Sequence, residues 1–66
     1  MAKPATRTLG EYTITAHRER GVAYSATVED SAGHRLWNSG PLVGPSAEAR
    51  ALDACEEWLR RKGLVK

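Results

Sequence analysis

Arg18-Glu19-Arg20-Gly21-Val22-Ala23-Tyr24-Ser25-Ala26-Thr27-Val28-Glu29-Asp30-Ser31-Ala32-Gly33-His34 carries two turn signals of one kind around an alternating run. Glycine closes each of the segments Arg18-Glu19-Arg20-Gly21 and Asp30-Ser31-Ala32-Gly33. It takes up at no steric cost the left-handed backbone that ends such a turn. Between the turns Val22, Tyr24, Ala26 and Val28 alternate with Ala23, Ser25, Thr27 and Glu29, the period of a strand buried on one face. Residues 9–18 alternate in the same way, with Tyr12, Ile14 and Ala16 on one side and Glu11, Thr13, Thr15 and His17 on the other. A shorter third strand is expected at about residues 34–39. The three make an antiparallel meander with the second in the middle.

A type I turn followed by a left-handed glycine pairs the residues at its ends, so Arg18 is expected opposite Val22 and Asp30 opposite His34. Counting outward, Ala16 faces Tyr24, Ile14 faces Ala26, Tyr12 and Leu36 face Val28, and Asn38 faces Ala26. On the other side Thr15 meets Ser25, Thr13 meets Thr27, Thr27 meets Trp37, and Glu29 meets Arg35 as an opposite-charge pair. A slip of one residue would bring every apolar set to the wrong side.

After Gly40-Pro41-Leu42-Val43-Gly44-Pro45 the period changes from two to 3.6. Ser46 is the expected N-cap, Glu48 complements the helix dipole, and Gly63 is the expected stop, which places a helix at about residues 47–62. Ala51, Leu52, Cys55, Trp58 and Leu59 form its apolar stripe, and Glu56–Arg60 and Glu57–Arg61 are ion pairs at (i, i+4). The expected fold is α+β: a three-stranded antiparallel β-meander with one C-terminal α-helix packed on one face, a β-β-β-α two-layer domain. Residues 1–8 read as a flexible leader and 9–66 as the single small domain. Its large core residues are expected to be Tyr12, Ile14, Tyr24, Val28, Leu36, Leu52, Trp58 and Leu59, with Leu42, Val43 and Leu64 available to join them.

Sixty-six residues allow one domain, which buries only about 60% of the surface its unfolded chain exposes, so stability should be marginal. The single cysteine excludes an internal disulfide and fits a reducing compartment, leaving dimerisation as the remaining support. No apolar run approaches the roughly 20 residues of a membrane span, and a soluble cytoplasmic protein without membrane contact is expected. Ten basic and eight acidic side chains give a net charge of +2, which permits nucleic acid without requiring it.

Catalysis is not expected. Cys55 lies in the stripe that faces the sheet, where a buried thiol is inert. His17 and His34 have no Cys, Asp or Glu at metal-ligand spacing. Glu56 and Glu57 point about 100° apart on the helix and do not converge as an acid and base must. Neither a cofactor nor a metal is expected. The register puts Trp37 on the open sheet face with Thr13, Thr27 and Arg35, where an exposed indole could pack on a protein or stack on a base. Arg18 and Arg20 mark the first hairpin tip. The candidate binding residues are therefore Arg18, Arg20, Arg35, Trp37, Thr13 and Thr27.

The order of three strands then a helix, with the charged hairpin of Arg18 and Arg20 and the strand Arg35-Leu36-Trp37, resembles the small three-stranded DNA-binding domains of plant transcription factors and of some tyrosine integrase N-termini. That resemblance covers the layout of about residues 9–62. It implies a sheet face entering the major groove, with Arg18, Arg20, Arg35 and Trp37 contacting bases and phosphates, although the threonines and glutamates of the face depart from the family's pattern. Two functions are carried forward. One is a small non-enzymatic interaction module that binds a protein or a second copy of itself through the open face or an unpaired strand edge. The alternative is a nucleic-acid-binding domain using the open face and the basic hairpin tip.

Overall fold

The computed structural model of the chain describes residues 5–65. Its elements are β1 (Thr6–Leu9), β2 (Tyr12–Arg20), β3 (Ala23–Glu29), β4 (Arg35–Asn38) and α1 (Ala47–Arg61). The strands form one antiparallel sheet in the order β1-β2-β3-β4, and α1 packs on one face of it, mainly over β3 and β2. The class is the expected two-layer α+β fold, but the sheet has four strands rather than three.

The additional strand occupies residues assigned to the leader, whose residues 1–4 lie outside the described residues. Its cause is local. Gly10 adopts φ +59° in a two-residue turn that sets Leu9 opposite Tyr12, and the β-branched Thr6 and Thr8 then lie opposite Thr15 and Thr13. Arg7 falls on the helix side of β1. Its Nη1 donates to Asp53 Oδ1 at 2.6 Å and lies 3.5 Å from Glu56 Oε1, so the new strand is tied to α1 as well as to β2.

The β2–β3 turn is shorter than expected. Arg20 pairs with Ala23 around Gly21 and Val22, a bulge follows at Glu19, and Ala16 then lies opposite Ala26 and Ile14 opposite Val28. Every pair is displaced by two residues from the sequence-based register. An even displacement leaves each side chain on its expected face, so Ile14, Ala16, Ala26 and Val28 still point to the helix. Thr13 meets Glu29, Thr15 meets Thr27, and His17 meets Ser25 on the open face.

Ala51, Leu52, Cys55 and Leu59 of α1 complete the core, with Leu9, Tyr12, Leu42, Trp58 and Val65 packed around its rim. Three of the eight core residues are alanines, which let the helix sit close to the sheet but contribute little apolar area. Val43 and Leu64, offered by the sequence as core residues, are exposed instead. Gly63 ends the helix at φ +73°, and Leu64 N–H donates back to the Leu59 carbonyl at 3.0 Å, the six-to-one bond of a Schellman cap.

The N-terminus differs from expectation in a testable way. Ser46 stands at the N-cap, but with φ 60° and ψ 26° it is left-handed and its hydroxyl makes no capping bond. The preceding Gly44-Pro45 turn imposes this geometry, since Ala47 N–H already donates to the Gly44 carbonyl at 3.2 Å. A left-handed L-residue costs about 1–2 kcal/mol, whereas glycine gives back part of that gain through its own chain entropy. Ser46→Gly is therefore expected to stabilise the domain by about 0.5–1 kcal/mol, raising the urea midpoint at unchanged slope. A lower midpoint would show that the serine hydroxyl does cap the helix.

Candidate functional site

The β3–β4 hairpin decides where Trp37 goes. Its turn forms as the sequence predicts: Asp30 N–H donates to the His34 carbonyl at 3.0 Å, and Gly33 N–H to the Asp30 carbonyl at 3.0 Å. The Asp30 Oδ1 accepts the N–H groups of Ala32 and His34, both at 2.9 Å. The His34 N–H bond is the largest cause that lowers the Asp30 carboxyl below its ordinary value, helped by Ala32 and by the nearby His34 ring. Glu29 then pairs with Arg35 as expected.

One residue later the ladder breaks. A bulge leaves Leu36 as an extra residue after Arg35, after which Val28 pairs with Trp37 and Thr27 with Asn38. The extra residue shifts the register of β4 by one, and a one-residue shift exchanges faces. Trp37 therefore lies on the helix side of the sheet, not on the open face with Thr13, Thr27 and Arg35. Leu36, expected in the core opposite Val28, is displaced outward and is 38% exposed.

On the helix side Trp37 meets Trp58. Their rings are stacked at 5.7 Å between centroids and 12° between planes, and each is half-buried against the edge of the core. Such a pair contributes about 0.5–1.5 kcal/mol beyond the area it buries. Trp58 belongs to a second helix stripe, Ala54, Glu57, Trp58 and Arg61, at the spacing of one face. With Trp37 these residues line a shallow groove along the β4 side of the molecule. Its volume of about 190 Å³ is below the 300–1,000 Å³ usual for small-molecule sites. Arg61 Nη2 donates to Glu57 Oε1 on its flank at 2.5 Å, and about 100° around the helix Arg60 pairs with Glu56 at 2.7 Å; both (i, i+4) pairs are those the sequence predicts.

The backbone of β4 adds hydrogen-bonding groups beside this groove. Ser39 N–H donates to the Ala26 carbonyl at 2.9 Å, in the same register as the Val28–Trp37 pair. Alternate residues of a regular antiparallel strand direct N–H and C=O to the same side, so Trp37 and Ser39 address β3 while Asn38 addresses the outer edge; the bulge at Leu36 interrupts this alternation and turns the Leu36 N–H toward Val28. The Asn38 side chain stays within the sheet, its Nδ2 donating to Thr27 Oγ1 at 2.8 Å and its Oδ1 accepting Gly40 N–H at 2.7 Å.

The remaining candidate residues do not assemble around Trp37. Thr13, Glu29 and Arg35 form one row of the open face, and Thr6, Thr15, Thr27 and Asn38 form another across all four strands. Thr27 and Ser25 are nevertheless buried by their neighbours, and Ser25 Oγ donates to Glu19 Oε1. Arg18 and Arg20 lie at the β2–β3 tip, where Arg18 Nε donates to the Gly21 carbonyl at 2.7 Å. Tyr24, near that tip, bridges to Leu42 just before α1 begins, whereas Trp58 near the end of α1 stacks beside Val28. The tip arginines and Arg60 and Arg61 thus lie toward opposite ends of the sheet.

Cys55 is fully buried beneath α1, and burial pushes its thiol up to about 11. Among the described residues no three His, Cys, Asp or Glu side chains converge as a metal site, and no helix is long and apolar enough to cross a membrane. The residues that the sequence did not single out for a site are Leu36, Asn38, Glu57, Trp58 and Arg61. The helical spacing of the last three with Ala54 was legible, but nothing in the strand sequence marked the bulge that brings Trp37 to them. Comparison with protein-family models, curated proteins and solved structures finds no match to this chain.

Proposed function

We propose that this chain is a small non-enzymatic protein-interaction module that engages an extended partner segment along the β4 edge. The observation that carries this reading is the outer edge of β4, where Asn38 directs its backbone groups away from β3, beside the half-buried Trp37–Trp58 pair. Backbone groups of an edge strand give affinity to any extended chain, and an apolar groove beside them selects an alternate side chain of that chain. The other edge offers no such groove, because Arg7 fills the helix side of β1 with its contacts to Asp53 and Glu56.

Selection of random extended peptides against the protein tests the proposal. Enriched peptides should shift the Asn38 amide and Trp37 indole resonances, and Asn38→Pro, which removes an outward donor, should weaken their binding about tenfold. A short DNA duplex serves as the comparison. Resonance shifts confined to Arg18, Arg20 and Arg35 on adding DNA, with no peptide enriched and no self-association through β4, would overturn the proposal in favour of nucleic acid.

A further inference from the structure

We propose that β1 is a detachable strap over a docking edge on β2, and that this edge takes an extended segment carrying a basic side chain where Arg7 now lies. The edge is the one opposite β4, so the inference goes beyond the interaction reading above and does not depend on it. The eight core residues belong to β2, β3 and α1. None of Thr6–Leu9 is buried, and Leu9 and the preceding Ala5 only pack against the rim of that core. Lifting β1 therefore leaves the core residues packed on one another, which is the condition for a local opening below the cost of global unfolding.

The attachment is made of contacts that water can replace. Arg7 and Leu9 exchange backbone groups with Ile14 and Tyr12, and the Ala5 carbonyl accepts Ala16 N–H at 2.9 Å. Arg7 adds its pairs with Asp53 and Glu56. The Asp53 side chain is 66% exposed, and Glu56 keeps Arg60 at 2.7 Å on its other oxygen, so release of Arg7 leaves no buried charge unpaired. Gly10, at φ +59° in the two-residue turn, is the hinge.

The bared edge has a definite chemistry. Ile14 and Ala16 then present unpaired N–H and C=O groups, and Asp53 and Glu56 stand on the helix side of the same edge without Arg7. Any extended segment restores the backbone ladder, while the two carboxylates select Arg or Lys at the residue opposite Ile14. β1 is itself the pattern for such a segment, with a cation between threonines in Thr6-Arg7-Thr8.

β2 carries its own control. Ile14 and Ala16 direct their N–H groups toward β1, whereas Thr15 and His17 direct theirs toward β3. Under native conditions amide exchange at Ile14 and Ala16, corrected for intrinsic rates, is expected at least about tenfold faster than at Thr15 and His17. Low urea should speed Thr15 and His17 but barely change Ile14 and Ala16, because lifting one strand exposes little surface. Arg7→Glu, which sets like charges together, should speed Ile14 and Ala16 about tenfold further. Random extended peptides selected against that variant, once its amide fingerprint shows it folded, should be enriched in Arg or Lys and should shift the Ile14 and Ala16 resonances. Protection of Ile14 and Ala16 equal to that of Thr15 and His17, or the same urea dependence, overturns the strap. Selection of no peptide, or of peptides without a basic residue, overturns the docking edge. Peptides that shift only Asn38 and the Trp37 indole also overturn it, while leaving the β4 reading in place.

Discussion

Leu59→Ala is expected to remove most of the folded state's margin. Leu59 is fully buried where α1 meets the sheet, among the largest side chains that are completely enclosed. Truncating such a leucine costs about 2–5 kcal/mol through lost transfer energy and the cavity left behind. A domain of this length has roughly 3–10 kcal/mol in total, at 0.05–0.15 kcal/mol per residue. Thermal unfolding should therefore move down by at least about 10 °C, and amide dispersion should partly collapse at ambient temperature. Leu64→Ala is the control. Leu64 stands five residues later and is 43% exposed, so its removal should change stability by less than about 0.5 kcal/mol. Equal effects of the two substitutions would mean that α1 does not present Leu59 to the sheet.

The second large effect is expected in alkali and comes from Cys55. Burial raises its thiol from an ordinary 9.0 to about 11, while a backbone contact from Ser39 acts in the opposite direction and is weaker. The folded state therefore favours the protonated thiol. That contribution is fully present below pH 9, where both folded and unfolded chains hold the proton, and it is lost as pH rises from about 9 to about 11 because only the unfolded chain ionises freely. At 1.36 kcal/mol per pH unit the loss is on the order of 3 kcal/mol. Tyrosine and lysine titrate in the same range, so the comparison that isolates Cys55 is the wild type against Cys55→Ala. Urea midpoints of the variant should start lower, from the small cavity, and then fall less steeply across the window. Parallel curves would show that the thiol is not enclosed. The same enclosure predicts slow labelling by thiol reagents at neutral pH, limited by opening of α1 from the sheet.

The structure divides the candidate site into parts of different legibility. The α1 stripe of Ala54, Glu57, Trp58 and Arg61 and the ion pair on it follow from helical spacing alone. Thr13, Thr27 and Arg35 lie on the open face because side chains alternate along a strand, and they stayed there through a two-residue error in register. Trp37 could not be placed by alternation, because a single extra residue at Leu36 inverts everything after it. With Trp37 removed from the open face, the Arg35-Leu36-Trp37 pattern that resembled a DNA-binding strand no longer presents an aromatic beside an arginine. The basic hairpin tip likewise stands apart from the cations at the end of α1.

What the sequence by itself determined was local: the left-handed glycines at positions 21, 33 and 63, the period of each strand, the amphipathic helix, and hence one buried and one open sheet face. These follow from backbone sterics and side-chain alternation within a few residues. Tertiary structure decided the rest. It recruited residues 6–9 as a strand because β2 offered an unpaired edge and α1 offered Asp53 and Glu56 to Arg7. It held Ser46 left-handed against its own preference, and it placed the bulge where Trp37 gains more by stacking on Trp58 than by facing solvent. Each of these choices is a balance between groups far apart in the chain, settled by packing that no local pattern contains.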